Sequence, residues 1–142
     1  MKPTVMIAEA DPELCGVYQE FITARGYQVE TASDGLDCLA KLRRATPAAV
    51  VLDLTLRWGG GDGVLAWLRE QSAMPGVAVI LTATCGYPVD GTEVVKPPVI
   101  QLLRKPFGLT TLLESLRSAV AIGQAATRKT GRDSALSELF LG

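Results

Sequence analysis

The stretch Ala48-Ala49-Val50-Val51-Leu52-Asp53, continued by Leu54-Thr55-Leu56 and then Arg57-Trp58-Gly59-Gly60-Gly61-Asp62-Gly63, decides the fold. Five apolar residues in a row, bounded by Pro47 and a glycine cluster, read as a short strand covered on both faces. Strands of that kind belong to parallel sheets, and in open parallel sheets ligands gather outside the carboxyl ends of the strands. Asp53 ends this strand at such a place, so it is a candidate site residue and not only a turn former.

Working outward, other strands deliver chemistry to equivalent positions. The apolar run Thr4–Ala8 ends at Glu9, with Asp11 two residues on. Asp11-Pro12-Glu13 predicts a helix start: Asp as N-cap, Pro where a missing N–H costs nothing, and Glu in the positive first turn. Leu14, Val17, Tyr18, Phe21 and Ile22 recur at helical spacing, Gly26 stops that helix, and residues 27–31 form a brief strand. Ser33 is the expected cap of a second helix with Leu36, Leu39 and Ala40 inward, ending before Thr46-Pro47. Asp62 is the expected cap of a third, with Val64, Leu65 and Leu68 as its apolar stripe.

Residues 77–81 make a fourth strand ending at Thr82. Gly86, Pro88, Gly91, Pro97 and Pro98 then punctuate the place of the next helix, which is expected to be short or absent. Residues 99–103 form a fifth strand leading into Arg104-Lys105-Pro106-Phe107. Leu109, Leu112, Leu113, Leu116 and Val120 mark a last helix closing at Gly123. This alternation predicts an α/β domain over residues 1–123 with a doubly wound, five-stranded parallel sheet. Residues 124–142 read as a polar linker and tail, with two alternatives for its end: a frayed terminus, or a short helix at 134–140 carrying Leu136, Leu139 and Phe140.

Composition narrows the function. The chain has 142 residues, 48% of them hydrophobic, enough for one domain with a core. A formal charge of -1, from 14 basic and 15 acidic residues, leaves no basic footprint for direct nucleic-acid binding. There is no histidine, which removes His-based catalytic triads and His-ligated metal sites. Cys15, Cys38 and Cys85 lack paired spacing and fit reduced thiols of a cytoplasmic protein. No run approaches the roughly 20 apolar residues of a membrane span.

Glu9 and Asp11 after the first strand, Asp53 after the third, Thr82-Ala83 after the fourth and Lys105-Pro106 after the fifth resemble the receiver domain of two-component response regulators. The resemblance covers nearly all of the domain and implies the sheet order 2-1-3-4-5. It implies that Asp53 is the phosphoacceptor, loaded from a phosphohistidine on a histidine kinase or phosphotransfer protein. By the same resemblance Lys105 and Thr82 hold the transferred oxygens, and Mg²⁺ is held by Glu9, Asp53 and the backbone carbonyl of Thr55. Such a chain is a phosphoacceptor and not an enzyme, beyond catalysing its own phosphotransfer and dephosphorylation.

Three departures from the family pattern stand out. The paired metal-site acids fall on Glu9 and Ala10, so the second acid is lost and Mg²⁺ binding is expected to weaken; Asp11 is a substitute only if its capping role releases it. The Asp-Gly pair of the following loop comes two residues late at Asp62-Gly63. That inserts Arg57 and Trp58 with glycines beside the site, where Arg57 can meet phosphate. The aromatic position three residues before Lys105 is Leu102. Thr55 and Thr84 lie where the family tunes hydrolysis.

The leading expectation is a stand-alone receiver that signals by contact with a downstream protein, with no membrane insertion and with homodimerisation left open. The rival is a pseudo-receiver whose interactions ignore phosphorylation. A phosphohydrolase of the haloacid-dehalogenase type is a remote alternative, because its second Asp is here Thr55. A flavodoxin-like nucleotide binder is disfavoured by the acidic turn Glu9-Ala10-Asp11.

Overall fold

The computed structural model describes residues 2–58, 60–70, 77–90 and 94–141, with residues 126–141 described by their backbone alone. The elements are β1 (Thr4–Ala8), α1 (Pro12–Ala24), β2 (Gln28–Ala32), α2 (Gly35–Arg44), β3 (Ala49–Asp53), α3 (Gly60–Glu70), β4 (Ala78–Ala83), β5 (Val99–Arg104) and α4 (Leu109–Leu141). The five strands form one parallel sheet in the order β2-β1-β3-β4-β5. Both the class and the order are those expected.

Alternation along the strands splits the core into two layers. Met6, Val50, Leu52, Val79 and Leu81 pack with Cys38, Leu42, Val64 and Leu68 on the α2 and α3 side. Val5, Ile7, Val51 and Ile80 pack with Tyr18, Ile22, Leu112 and Leu116 on the α1 and α4 side. Every residue of β3 and β4 is buried, which is why their sequences run apolar without alternation. Each large aliphatic side chain buried there contributes about 1.5–3 kcal/mol.

Local signals set most boundaries. Asp11 caps α1, its Oδ1 accepting from Glu13 N–H at 2.9 Å and Leu14 N–H at 3.4 Å. Gly26, at φ +99, takes the left-handed turn beyond the C-cap Arg25. Elsewhere the caps differ from expectation. Asp34, not Ser33, caps α2 through a 2.8 Å bond from Asp37 N–H, a carboxylate adding charge to the same capping geometry. The buried face of α2 is Gly35, Cys38 and Leu42, and Leu36, expected inward, is 60% exposed. Helix α3 starts at Gly60, which places Asp62 inside its first turn and not at its cap.

Between β4 and β5 no helical element lies among the described residues, and Val94 N–H bonds to the Asp90 carbonyl at 3.0 Å. Two arginines satisfy carbonyls there instead: Arg104 Nη1 donates to Tyr87 O at 2.6 Å and Arg69 Nη2 to Val94 O at 3.1 Å. Tyr87, Val89 and Val94 pack on the α2 and α3 core layer.

Helix α4 does not break at Gly123. It continues to Leu141, about 50 Å in all, where a linker at 124–132 and then a frayed end or a separate helix at 134–140 were expected. A single helical glycine costs about 1 kcal/mol, Gly123 is buried against the domain, and the alanines that follow it favour helix. The expected apolar face of Leu136, Leu139 and Phe140 lies outside the described side chains.

Candidate functional site

The carboxyl ends of β1, β3, β4 and β5 bring Glu9, Asp53, Thr82 and Lys105 together. Parallel register does this directly, pairing Asp53 with Thr82, while Lys105 N–H bonds to Ala83 O at 2.8 Å just beyond β5. Asp53 is fully buried, Thr82 is fully buried, and Glu9 is 2% exposed. Three buried polar residues at one edge of an apolar sheet require partners.

Asp53 finds four donors. Thr55 N–H and the Thr55 hydroxyl reach Oδ1 at 2.9 and 2.8 Å, and Ala10 N–H and Lys105 Nζ reach Oδ2 at 3.2 and 3.3 Å. Glu9 accepts from Asp11 N–H on Oε2 at 2.9 Å, and its Oε1 lies 2.6 Å from Lys105 Nζ. One ammonium therefore neutralises two buried carboxylates. Thr82 is different: its buried Oγ1 has no hydrogen-bond partner.

Electrostatics separate the two acids. Burial pushes both carboxyls up, but in Asp53 it is outweighed by hydrogen bonding with Glu9, Thr55 and Ala10, which holds it below the ordinary carboxylate value. Glu9 is raised, by burial first and by Asp53 next. Lys105 is raised against its own burial by Glu9 and Asp53. A carboxyl held low in this way stays ionised at neutral pH.

The loop after β3 is fixed by close approach. A Cβ on Gly61 would lie 2.5 Å from Asp53 O and 2.6 Å from Leu54 Cα, so only glycine lets α3 start against the end of β3.

Of the residues read from sequence, Glu9, Asp53, Thr55, Thr82 and Lys105 converge. Asp11 does not join them; its side chain caps α1. Arg57 and Thr84 are exposed at the rim. The hydrogen bonds of the Thr55 hydroxyl and the Ala10 N–H to Asp53 are not part of the sequence reading, which gives Thr55 a carbonyl role toward metal and a place where hydrolysis is tuned; the proximity of both in sequence to the strand ends is the available signal. It also missed the Lys105–Glu9 pairing, which only the folded sheet creates.

The donor set suits a hard cation: two carboxylates side by side, with no soft ligand. Among the described residues no third His, Cys, Asp or Glu completes a cluster. Mg²⁺ is commonly held by one or two carboxylates with water and phosphate, and Glu9 and Asp53 are two carboxylates of that kind.

Residues 5–117 match the family model described as the response regulator receiver domain. The chain belongs to that family. The receiver is 32% identical to the transcriptional regulatory protein KdpE of Mycobacterium tuberculosis over 122 residues, covering 86% of this chain and 53% of KdpE. It therefore spans about half the length of that relative. It is 25% identical to the protein Rrf1 of Nitratidesulfovibrio vulgaris, covering 92% of this chain and 91% of Rrf1. Among solved structures the receiver resembles the chemotaxis response regulator CheY4 of Vibrio cholerae, with TM-score 0.74, 23% identity, and coverage of 84% of this chain and 99% of CheY4. A CheY-like receiver domain of Methanospirillum hungatei has TM-score 0.76 at 19% identity, covering 86% of this chain and 97% of that one. Among the described residues of this receiver no helix is long and apolar enough to cross a membrane.

Proposed function

We propose that Asp53 accepts a phosphoryl group from a phosphohistidine on a histidine kinase or phosphotransfer protein, and that the loaded receiver signals through contact with a downstream protein. The single observation that carries this is the buried, unpartnered hydroxyl of Thr82 beside the buried, ionised Asp53. An empty hydrogen-bonding capacity in a core is costly unless something uses it, and a transferred phosphoryl oxygen supplies the acceptor.

The chemistry follows from the neighbours. Asp53 attacks phosphorus while its P–N bond to histidine breaks, and the freed imidazole takes a proton. Lys105 then exchanges part of its pairing with Glu9 for the new anionic oxygens, and Thr82 Oγ1 donates to one of them. Mg²⁺, held by Glu9, Asp53 and the Thr55 carbonyl, supplies charge neutralisation when bound. Capture of a phosphoryl group by Thr82 and Lys105 biases their strands between two packings, the form a downstream partner reads.

A second reading has its own observation. Lys105, Thr55 and Ala10 already satisfy Asp53, and the ion triplet with Glu9 is complete without metal or phosphate. That closed state favours a pseudo-receiver that binds partners independently of phosphorylation. The two are separated by incubating the chain with a ³²P-labelled phosphohistidine phosphotransfer protein. Label that moves to the wild type and not to Asp53→Asn supports phosphoacceptance; label that never moves supports the pseudo-receiver.

A further inference from the structure

The rim of the site carries an apolar patch that the phosphoryl chemistry does not use. Trp58 is 70% exposed and Leu36 60%, the two highest values among the exposed large apolar residues. They belong to different segments, the loop after β3 and the first turn of α2. Gly35 N–H bonds to the Arg57 carbonyl at 2.8 Å, and each apolar residue directly follows one partner of that bond, so the two share one small area. Trp58 is also held at φ +54, a left-handed conformation costly for a bulky side chain. Nothing among the described residues recovers that cost, since the indole makes no hydrogen bond or ring contact there.

The charges around the patch have both signs. Arg57 is exposed, and its side chain has no ion pair or hydrogen bond among the described residues. Asp34 sits next to Gly35 on the same tie and uses one oxygen to cap α2. With Arg57 next to Trp58 and Asp34 two residues before Leu36, the patch carries one charge of each sign, and a two-fold rotation can set the cation of one copy against the carboxylate of the other. We propose that Trp58 and Leu36 form the contact between two copies of this chain related by a two-fold axis, with Arg57 of each copy facing Asp34 of the other. Two apolar side chains per copy fall well short of the roughly 800 Å² per partner of a stable interface, so the dimer is weak and depends on concentration.

Sedimentation velocity of the full chain, from micromolar to millimolar concentration, tests this. The wild type shifts toward a dimer as concentration rises, and in a Trp67→Phe background the Trp58 emission moves to shorter wavelength in step. Trp58→Ser and Leu36→Ser each abolish the shift, and because both residues are exposed the variants keep the wild-type circular dichroism. Arg57→Glu and Asp34→Lys each weaken self-association, while their equimolar mixture associates, since the opposite charges then meet across the axis. A wild type that stays monomeric throughout overturns the proposal. So does a dimer that Trp58→Ser leaves intact, which would place the contact elsewhere, or a mixture no more associated than its components.

Discussion

Lys105 lies closer to Glu9 than to Asp53, with Nζ 2.6 Å from Glu9 Oε1 and 3.3 Å from Asp53 Oδ2. All three groups are largely buried, so removing the cation leaves two carboxylates facing each other out of water. Lys105→Met is expected to lose about 3 kcal/mol at neutral pH, as when one partner of a buried pair is removed. Urea unfolding reads this. The loss shrinks on acidification, because Glu9, already raised, takes a proton and ends the repulsion.

The wild-type pH profile follows from opposite shifts. Asp53 is depressed below its ordinary 3.8, so its contribution to stability is present above that value and is lost as pH falls through the folded value. Lys105 is raised above 10.5, so its contribution is whole below that value and is lost as pH rises through the folded one. Urea midpoints measured across pH should therefore fall at both ends. Asp53→Asn flattens the acid limb and Lys105→Met the alkaline one.

Gly61 and Gly63 make a matched pair. A methyl at Gly61 meets the backbone of Asp53 and Leu54 at 2.5 and 2.6 Å, atoms that cannot yield, whereas one at Gly63 meets nothing within 4 Å. Gly61→Ala is expected to cost about 2–3 kcal/mol. Gly63→Ala, inside α3, is expected to gain about 0.5–1 kcal/mol from helix propensity and reduced unfolded-state entropy. Thermal unfolding distinguishes them.

Thr82 separates stability from function. Its hydroxyl is buried without a partner, so Thr82→Val keeps the shape and removes the unsatisfied group, raising stability by up to about 1 kcal/mol. The same change removes the donor to the transferred oxygen, and the rate of phosphoryl uptake from phosphoramidate should fall by at least tenfold.

Sequence alone made the sheet legible because buried parallel strands write themselves as short apolar runs, and β3 and β4 are buried at every position. Glu9, Asp53, Thr82 and Lys105 were legible because each ends such a run. The α1 cap is legible to the residue in Asp11-Pro12-Glu13, whereas the starts of α2 and α3 are not, since Ser33, Asp34 and Asp62 are all competent capping types and only packing chooses among them. The continuation of α4 past Gly123 was hidden by the ordinary meaning of a glycine, which local propensity overrides. The arginine bonds of Arg69 and Arg104 to carbonyls between β4 and β5 join residues distant in sequence, and no local pattern announces them.

Ala10 offers a test by gain. Placing Asp there adds a third carboxylate beside Glu9 and Asp53, and Ala10→Asp should bind Mg²⁺ at least tenfold more tightly than the wild type by isothermal titration calorimetry. Its main-chain N–H bond to Asp53 Oδ2 is untouched by the change.

The central claim is that Asp53 takes up a phosphoryl group, and intact-mass spectrometry after incubation with phosphoramidate and Mg²⁺ tests it most directly. The expected result is a single phosphoryl adduct on the wild type, lost in Asp53→Asn and diminished without Mg²⁺. A wild type that stays unmodified at high Mg²⁺, or an adduct that survives in Asp53→Asn, would contradict it.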